Sequence, residues 1–243
     1  MDMRISGSGM ITSGEYENIG ISGSAKGEGL ISCKNFSCSG SAKLNGELRC
    51  EGKISVAGSL HAEKNISAGE ISISGSVKAG GDCKVKEKLS VSGSCVFEGD
   101  IKCNVLKASG GISAKNVEAE NADIRGKINA EGLINAEQIK IEFENDGSAE
   151  NIGGGKIVIF PHTHSKPIAR LPLISKIMGK AGADCFTVND SIEGDEIALE
   201  NVTAENVSGR VVAIGAGCRI TSVKYGETIE ISPDAEVGTY EKI

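Results

Sequence analysis

Tryptophan is missing from this chain, and aromatic residues make up only 3% of its 243 positions. Large side chains therefore cannot fill the wide interior of an ordinary globular domain, and any core must be thin. Proline is nearly as scarce, at 4 residues against 33 glycines. That balance fits a chain of many turns, and a hydrophobic content of 39% is enough for a folded protein. Glycine does not recur at every third position, which excludes a collagen triple helix. No stretch approaches the ~18 apolar residues of a membrane-spanning helix, and the opening residues Met1 to Gly7 lack the apolar run of a signal peptide. A basic block is missing too: the formal net charge is -7, with Lys and Arg interspersed among Asp and Glu. Nothing there neutralises a row of phosphates, so nucleic acid is not an expected partner. These absences predict a cytoplasmic protein.

What is present is a repeat. Words like Ile-Ser-Gly-Ser start at Ile5, Ile21, Cys38, Val56, Ile73, Val91 and Ala108, and their apolar first member continues at Ile124, Ile141 and Val158, in steps of 16 to 18 residues. The residue two places earlier is usually apolar as well, as at Ile19, Phe36, Ile54, Ile71, Leu89, Leu106, Ala122 and Ile139. Spacing by two is strand spacing. A second apolar pair follows four and six residues later, for example Ala42/Leu44 and Cys95/Phe97. A third follows ten and twelve later, for example Ile31/Cys33 and Leu48/Cys50. Each turn then has three short strands separated by corners, which predicts a triangular parallel β-helix. Glycine stands two places after the register residue at Gly7, Gly23, Gly40, Gly58, Gly75, Gly93, Gly110 and Gly126, as a corner demanding positive φ would require.

After Val158 the register breaks. Residues 161–190, with Pro161, Pro167 and Pro172, carry no solenoid pattern, and Ile197, Ile214 and Ile231 then resume at 17-residue steps. The predicted organisation is a solenoid block over 1–160, an insertion over 161–190 and a second block over 191–243. Supporting ladders in the second block are Val212/Ile229, Cys218/Ala235, Ile220/Val237 and Gly209/Gly226. About 13 turns at ~4.8 Å each would make a rod on the order of 60 Å long.

Chemistry-bearing residues are few. No Cys-x-x-Cys pair exists among the eight cysteines, so a zinc site has no clustered ligands. Cys33, Cys38, Cys50, Cys83, Cys95, Cys103 and Cys218 all fall at inward positions, where a thiol acts as a small apolar filler; Cys185 lies in the insertion. His162 and His164 share one side of a strand and would need a third metal ligand from elsewhere, while His61 falls at an outward position. With no positioned histidine and no carboxylate pair, neither nucleophilic nor glycosidic catalysis has candidates. No catalytic, cofactor or metal residue is assigned. In the insertion, Leu171, Leu173, Ile174, Ile177 and Met178 alternate with Arg170, Lys176 and Lys180. Such a short basic amphipathic stretch suits packing against the solenoid, or contact with a membrane surface or a cell-envelope protein.

The turn-to-turn Ser-Gly-Ser words, the 17-residue period, the segment Ile192 to Asn201 and the later Ile214-Gly215-Ala216-Gly217-Cys218 resemble the bactofilin-like polymer-forming cytoskeletal proteins of Gram-positive bacteria. The resemblance implies a right-handed β-helix that assembles end to end into nucleotide-free filaments, serving as a scaffold at the membrane and in cell-shape control. It carries no catalytic residues. The chain departs from the usual pattern of one solenoid core between disordered tails, since it has two blocks around an insertion and almost no tails. Physics adds its own reason to expect self-assembly, because the two ends of a solenoid present unpaired strand edges. Ile5 and Ile11 at one end, and Ile229, Ile231 and Val237 at the other, are the candidate stacking contacts, with Tyr240 as an alternative cap over the final turn. Competing readings are a β-helix enzyme or carbohydrate-binding protein, and an adhesin-like surface rod. Irregular turns of 16 to 18 residues without a catalytic His argue against the first; thiols in the core and no export signal argue against the second.

Overall fold

Polar and apolar residues alternate through the short strands, and the structure, a computed structural model describing residues 1–162 and 184–243, turns that alternation into an inside and an outside. Strand Ser41–Leu44, for example, buries Ala42 and Leu44 and exposes Ser41 and Lys43. The described residues contain no helix. Every paired strand runs parallel to its neighbour one turn away, as in a β-solenoid of about 13 turns. Two compact units are present, Met1–Glu120 and Asn121–Ile243, so the break after strand Gly147–Pro161 falls inside the second unit.

In the first unit the predicted register holds turn by turn. Ile5 pairs with Ile21, Ile21 with Cys38, Cys38 with Val56, Val56 with Ile73, Ile73 with Val91 and Val91 with Ala108. The second and third sides stack equally well, with Ala42 on Leu60 and Ile31 on Leu48. Stacked identical positions build columns of side chains, and a narrow interior is filled by alternating large and small members. A Cβ on Gly27 would lie 2.6 Å from Leu44 Cδ2, so that glycine leaves space for the leucine of the next turn.

The corner glycines need another explanation than positive φ. Of the eight, only Gly126 takes that conformation, at 124°. Gly7, in the first turn, has nothing within 4 Å of an added Cβ, and the other six are required by the turn beneath: a Cβ on Gly23, Gly40, Gly58, Gly75, Gly93 or Gly110 would stand 2.0 Å from the carbonyl oxygen of the glycine one turn earlier. That same oxygen accepts a hydrogen bond from the next residue's N–H, as in Ser76 N to Gly58 O at 2.9 Å. Successive corners nest too closely for a side chain.

In the second unit the 17-residue count needs correcting. Ile141 pairs with Ile159, not Val158, which lies opposite Lys140 on the outer surface. Ile159 then pairs with Leu199, and Leu199 with Ile214, so Ile197 belongs to the neighbouring column with Ile157 and Val212. Gly209 pairs with Tyr225 rather than Gly226. Irregularities between Ala149 and Asn151, Val188 and Ser191, and Gly209 and Val211 shift the count. The ladders Val212/Ile229 and Ile220/Val237 are as expected. Strands resume at Phe186, whose ring packs 5.9 Å from Phe143.

Candidate assembly surfaces

The first turn is built from Met3–Ile5 and Ser8–Ile11, each paired to one neighbouring strand, and from the start of Gly14–Ile21. Ile5 leans across the interior: its Cγ2 lies 3.0 Å from where Gly9 would carry a Cβ. Ile11 is completely buried. On the third side Tyr16 occupies the inward position below Cys33, and its hydroxyl donates to the Thr12 carbonyl at 2.9 Å. The tyrosine ring thus covers the bottom of the column and keeps its polar end bonded. Met1 and Met10 remain exposed.

The last turn is open by comparison. Its strand Glu236–Lys242 pairs with Arg219–Ile231 through Ile220/Val237 and Val223/Tyr240. Tyr240 keeps this ladder position, 61% exposed, and does not fold over as a cap. Ile229 and Ile231 continue columns whose earlier members, Ile157, Ile197 and Val212 and then Ile159, Leu199 and Ile214, are all buried. With no described turn stacked beyond them, Ile229, Ile231 and Val237 are only half-buried. Surface ion pairs here, Arg219 to Glu236 and Lys224 to Glu241 at 3.5 Å, are exposed and contribute little.

The described residues on either side of 163–183 are fastened to their neighbours. His162 Nδ1 lies 2.5 Å from Glu142 Oε1, and its Nε2 lies 3.5 Å from Glu144. Arg125 Nε donates to Glu142 at 3.1 Å. Burial pushes the Glu142 carboxyl up, but the hydrogen bonds from His162 and Arg125 outweigh it and hold the group below its ordinary range. On the C-terminal side, the Asn145 N–H bonds Asp184 at 3.2 Å and the Cys185 N–H bonds Asp146 at 3.1 Å. Both ring nitrogens of His162 therefore face carboxylates, and among the described residues no group of three or more His, Cys, Asp or Glu could hold a metal ion. His164 and the contact candidates Leu171, Leu173, Ile174, Ile177 and Met178 lie outside the described residues. Among the described residues no helix is long and apolar enough to cross a membrane.

Sequence reasoning missed Tyr16 as a cap and the carboxylates around His162. The first was legible as the lone aromatic residue in a column otherwise holding Cys, Ala and Val; the second depends on register and carries no local signal. The seven core cysteines are buried as expected, with Cys185 half-buried.

Comparison with known proteins places the repeats. Residues 18–115 match the family model described as Bactofilin: Polymer-forming cytoskeletal. Two relatives come from Bacillus subtilis (strain 168). The Uncharacterized protein YhbF is 34% identical over 107 residues, covering 44% of this chain and 40% of the relative. The Uncharacterized protein YhbE is 29% identical over 116 residues, covering 46% and 44%. The chain thus spans less than half the length of these curated relatives. No solved structure matches. The matched span lies in the first unit, outside the later words at Ile192 and Ile214 that contributed to the resemblance.

Proposed function

We propose, taking the bactofilin match over residues 18–115 as premise, that the protein is a structural scaffold that self-assembles through the ends of its β-helix. The observation that carries this reading is the final turn. Inward columns whose earlier members in the second unit are buried come to the surface at Ile229, Ile231, Val237 and Tyr240, beside the edge of Glu236–Lys242, which is unpaired among the described residues. Burying such a surface against another copy removes apolar area from water and supplies partners to strand-edge N–H and C=O groups. Ile5 and Ile11 back the first turn from inside, so their part is to keep it flat enough to be stacked upon. The scaffold acts in the cytoplasm without catalysing a reaction, and its insertion brings it to the inner face of the cell membrane or to an envelope protein.

Negative-stain imaging and light scattering of the purified chain test assembly. Assemblies are expected for the natural sequence and their loss for Ile231→Lys and Ile229→Lys. A strict monomer at high concentration would falsify the reading. The membrane arm is separate: co-sedimentation with anionic vesicles should fall when Leu173 and Ile177 are replaced by Glu, and binding that ignores those changes removes that arm alone.

A further inference from the structure

Seven of the eight cysteines sit in inward columns, yet only two of them follow each other in the same column. Cys33 and Cys50 are register partners on adjacent parallel strands, which sets their Cα atoms about 4.8 Å apart, within the span a disulfide bridges. The remaining columns separate their thiols: Cys38 lies between Ile21 and Val56, Cys83 between Ile66 and Ile101, and Cys95 between Val77 and Ile112.

Cys33 and Cys50 are both buried, but they line an open groove of about 980 Å³ along the third side of the first unit, with Ala68, Val85 and Cys103 farther along. They are 4% and 6% exposed, whereas Cys83 is fully enclosed. Cys103 shares the groove but has no second cysteine next to it in its column. Cys50 is held in place by contacts of its sulfur with the carbonyl oxygens of Lys34 at 3.0 Å and Lys53 at 3.3 Å.

We propose that Cys33 and Cys50 form a reactive dithiol that a hydroperoxide converts into a disulfide joining two successive turns. The Cys50 thiolate attacks one peroxide oxygen and breaks the O–O bond, giving a sulfenic acid and one water once the departing hydroxide takes up the thiol proton. The Cys33 sulfur then attacks the sulfenic sulfur, forming the S–S bond and releasing a second water. Two thiols and one hydrogen peroxide thus become one disulfide and two waters, the peroxide being the two-electron oxidant. The electrostatics agree with these roles. The hydrogen bond from Cys33 lowers the Cys50 thiol below its ordinary value and raises its own, whereas burial pushes Cys95 and Cys103 up to about 12.

The test treats the full chain with one equivalent of hydrogen peroxide, alkylates the remaining thiols in denaturant and maps non-reduced tryptic peptides. The expected product links Gly27–Lys34, which carries Cys33, to Cys50–Lys53, with the other six thiols alkylated. In native protein Cys50 should alkylate roughly tenfold faster than Cys83. Cys33→Ser should leave a Cys50 sulfenic acid that dimedone traps, and Cys50→Ser should leave Cys33 reduced. Recovery of both peptides separately alkylated overturns the proposal, as does a cross-link confined to Cys83, Cys95 and Cys103 or one between molecules. Because the natural sequence alone yields the decisive peptide map, a variant that fails to fold does not rescue it.

Discussion

A methyl group on Gly75 would stand 2.0 Å from Gly58 O, and backbone on backbone cannot be relieved by a rotamer change. Gly75→Ala is therefore expected to cost about 1–3 kcal/mol, or to push two turns apart. Gly7 belongs to the same sequence column, but nothing lies within 4 Å of its added Cβ. Gly7→Ala should leave the urea midpoint nearly unchanged or raise it slightly, since alanine loses less backbone freedom on folding. Equal losses at both sites would show that conformation, not nesting, selects these glycines. Two carboxylates make a second contrast. Glu142, with its folded pKa depressed below 4.5, contributes stability above that value and loses it as pH falls through the depressed pKa. Glu200 has its pKa raised by burial, so it costs stability as pH rises from 4.5 through the raised value. Urea unfolding against pH should find Glu142→Gln less stable and Glu200→Gln more stable than the natural chain at neutral pH. Both differences should shrink in acid.

Among the elements, the strands of the first unit were legible because each turn repeats the same word at nearly the same step: from Ile5 to Ala108 the counted register and the observed pairs coincide. The second unit was less legible for a physical reason. A bulge adds or removes one residue without changing which side chains look apolar, so Val158 and Ile159, or Ile197 and Leu199, are equivalent to a pattern count until hydrogen bonding chooses between them. The terminal candidates Ile229, Ile231 and Val237 could be named from their columns, and so could Tyr16, but the grip on His162 needed three-dimensional neighbours. Volume compensation between strands was hidden in the same way. Gly147 pairs with Phe186, and a Cβ there would meet the ring at 2.7 Å. Gly147→Ala should cost about 1–3 kcal/mol, and Phe186→Leu should recover part of that loss when combined with it. A double-mutant cycle measures this, with about 0.5–3 kcal/mol of coupling expected; strict additivity would mean that the two positions do not share the space.

For the whole molecule the governing fact is that each described turn stacks on the turn before and the turn after, so stability approximates a sum of nearest-neighbour terms and a turn with one neighbour is weaker. Among the described residues Glu236–Lys242 pairs on one side only and carries Tyr240 uncovered above Val223. In dilute solution its amides should therefore exchange much faster than those of Ile152 to Ile159, which are stacked on both sides. Assembly changes that order by mass action. If a second copy settles on the final turn, protection of Glu236–Lys242 must rise with protein concentration, and thermal stability with it. Ile231→Lys should abolish both dependences while leaving exchange at Ile152 to Ile159 unchanged, because the substituted side chain lies at the end of its column. Hydrogen exchange of the natural chain across a hundredfold range of concentration decides the matter. Exchange at the last strand that stays constant over that range would mean that the open turn is not where copies meet, and would move the search for an assembly surface to the faces of the solenoid.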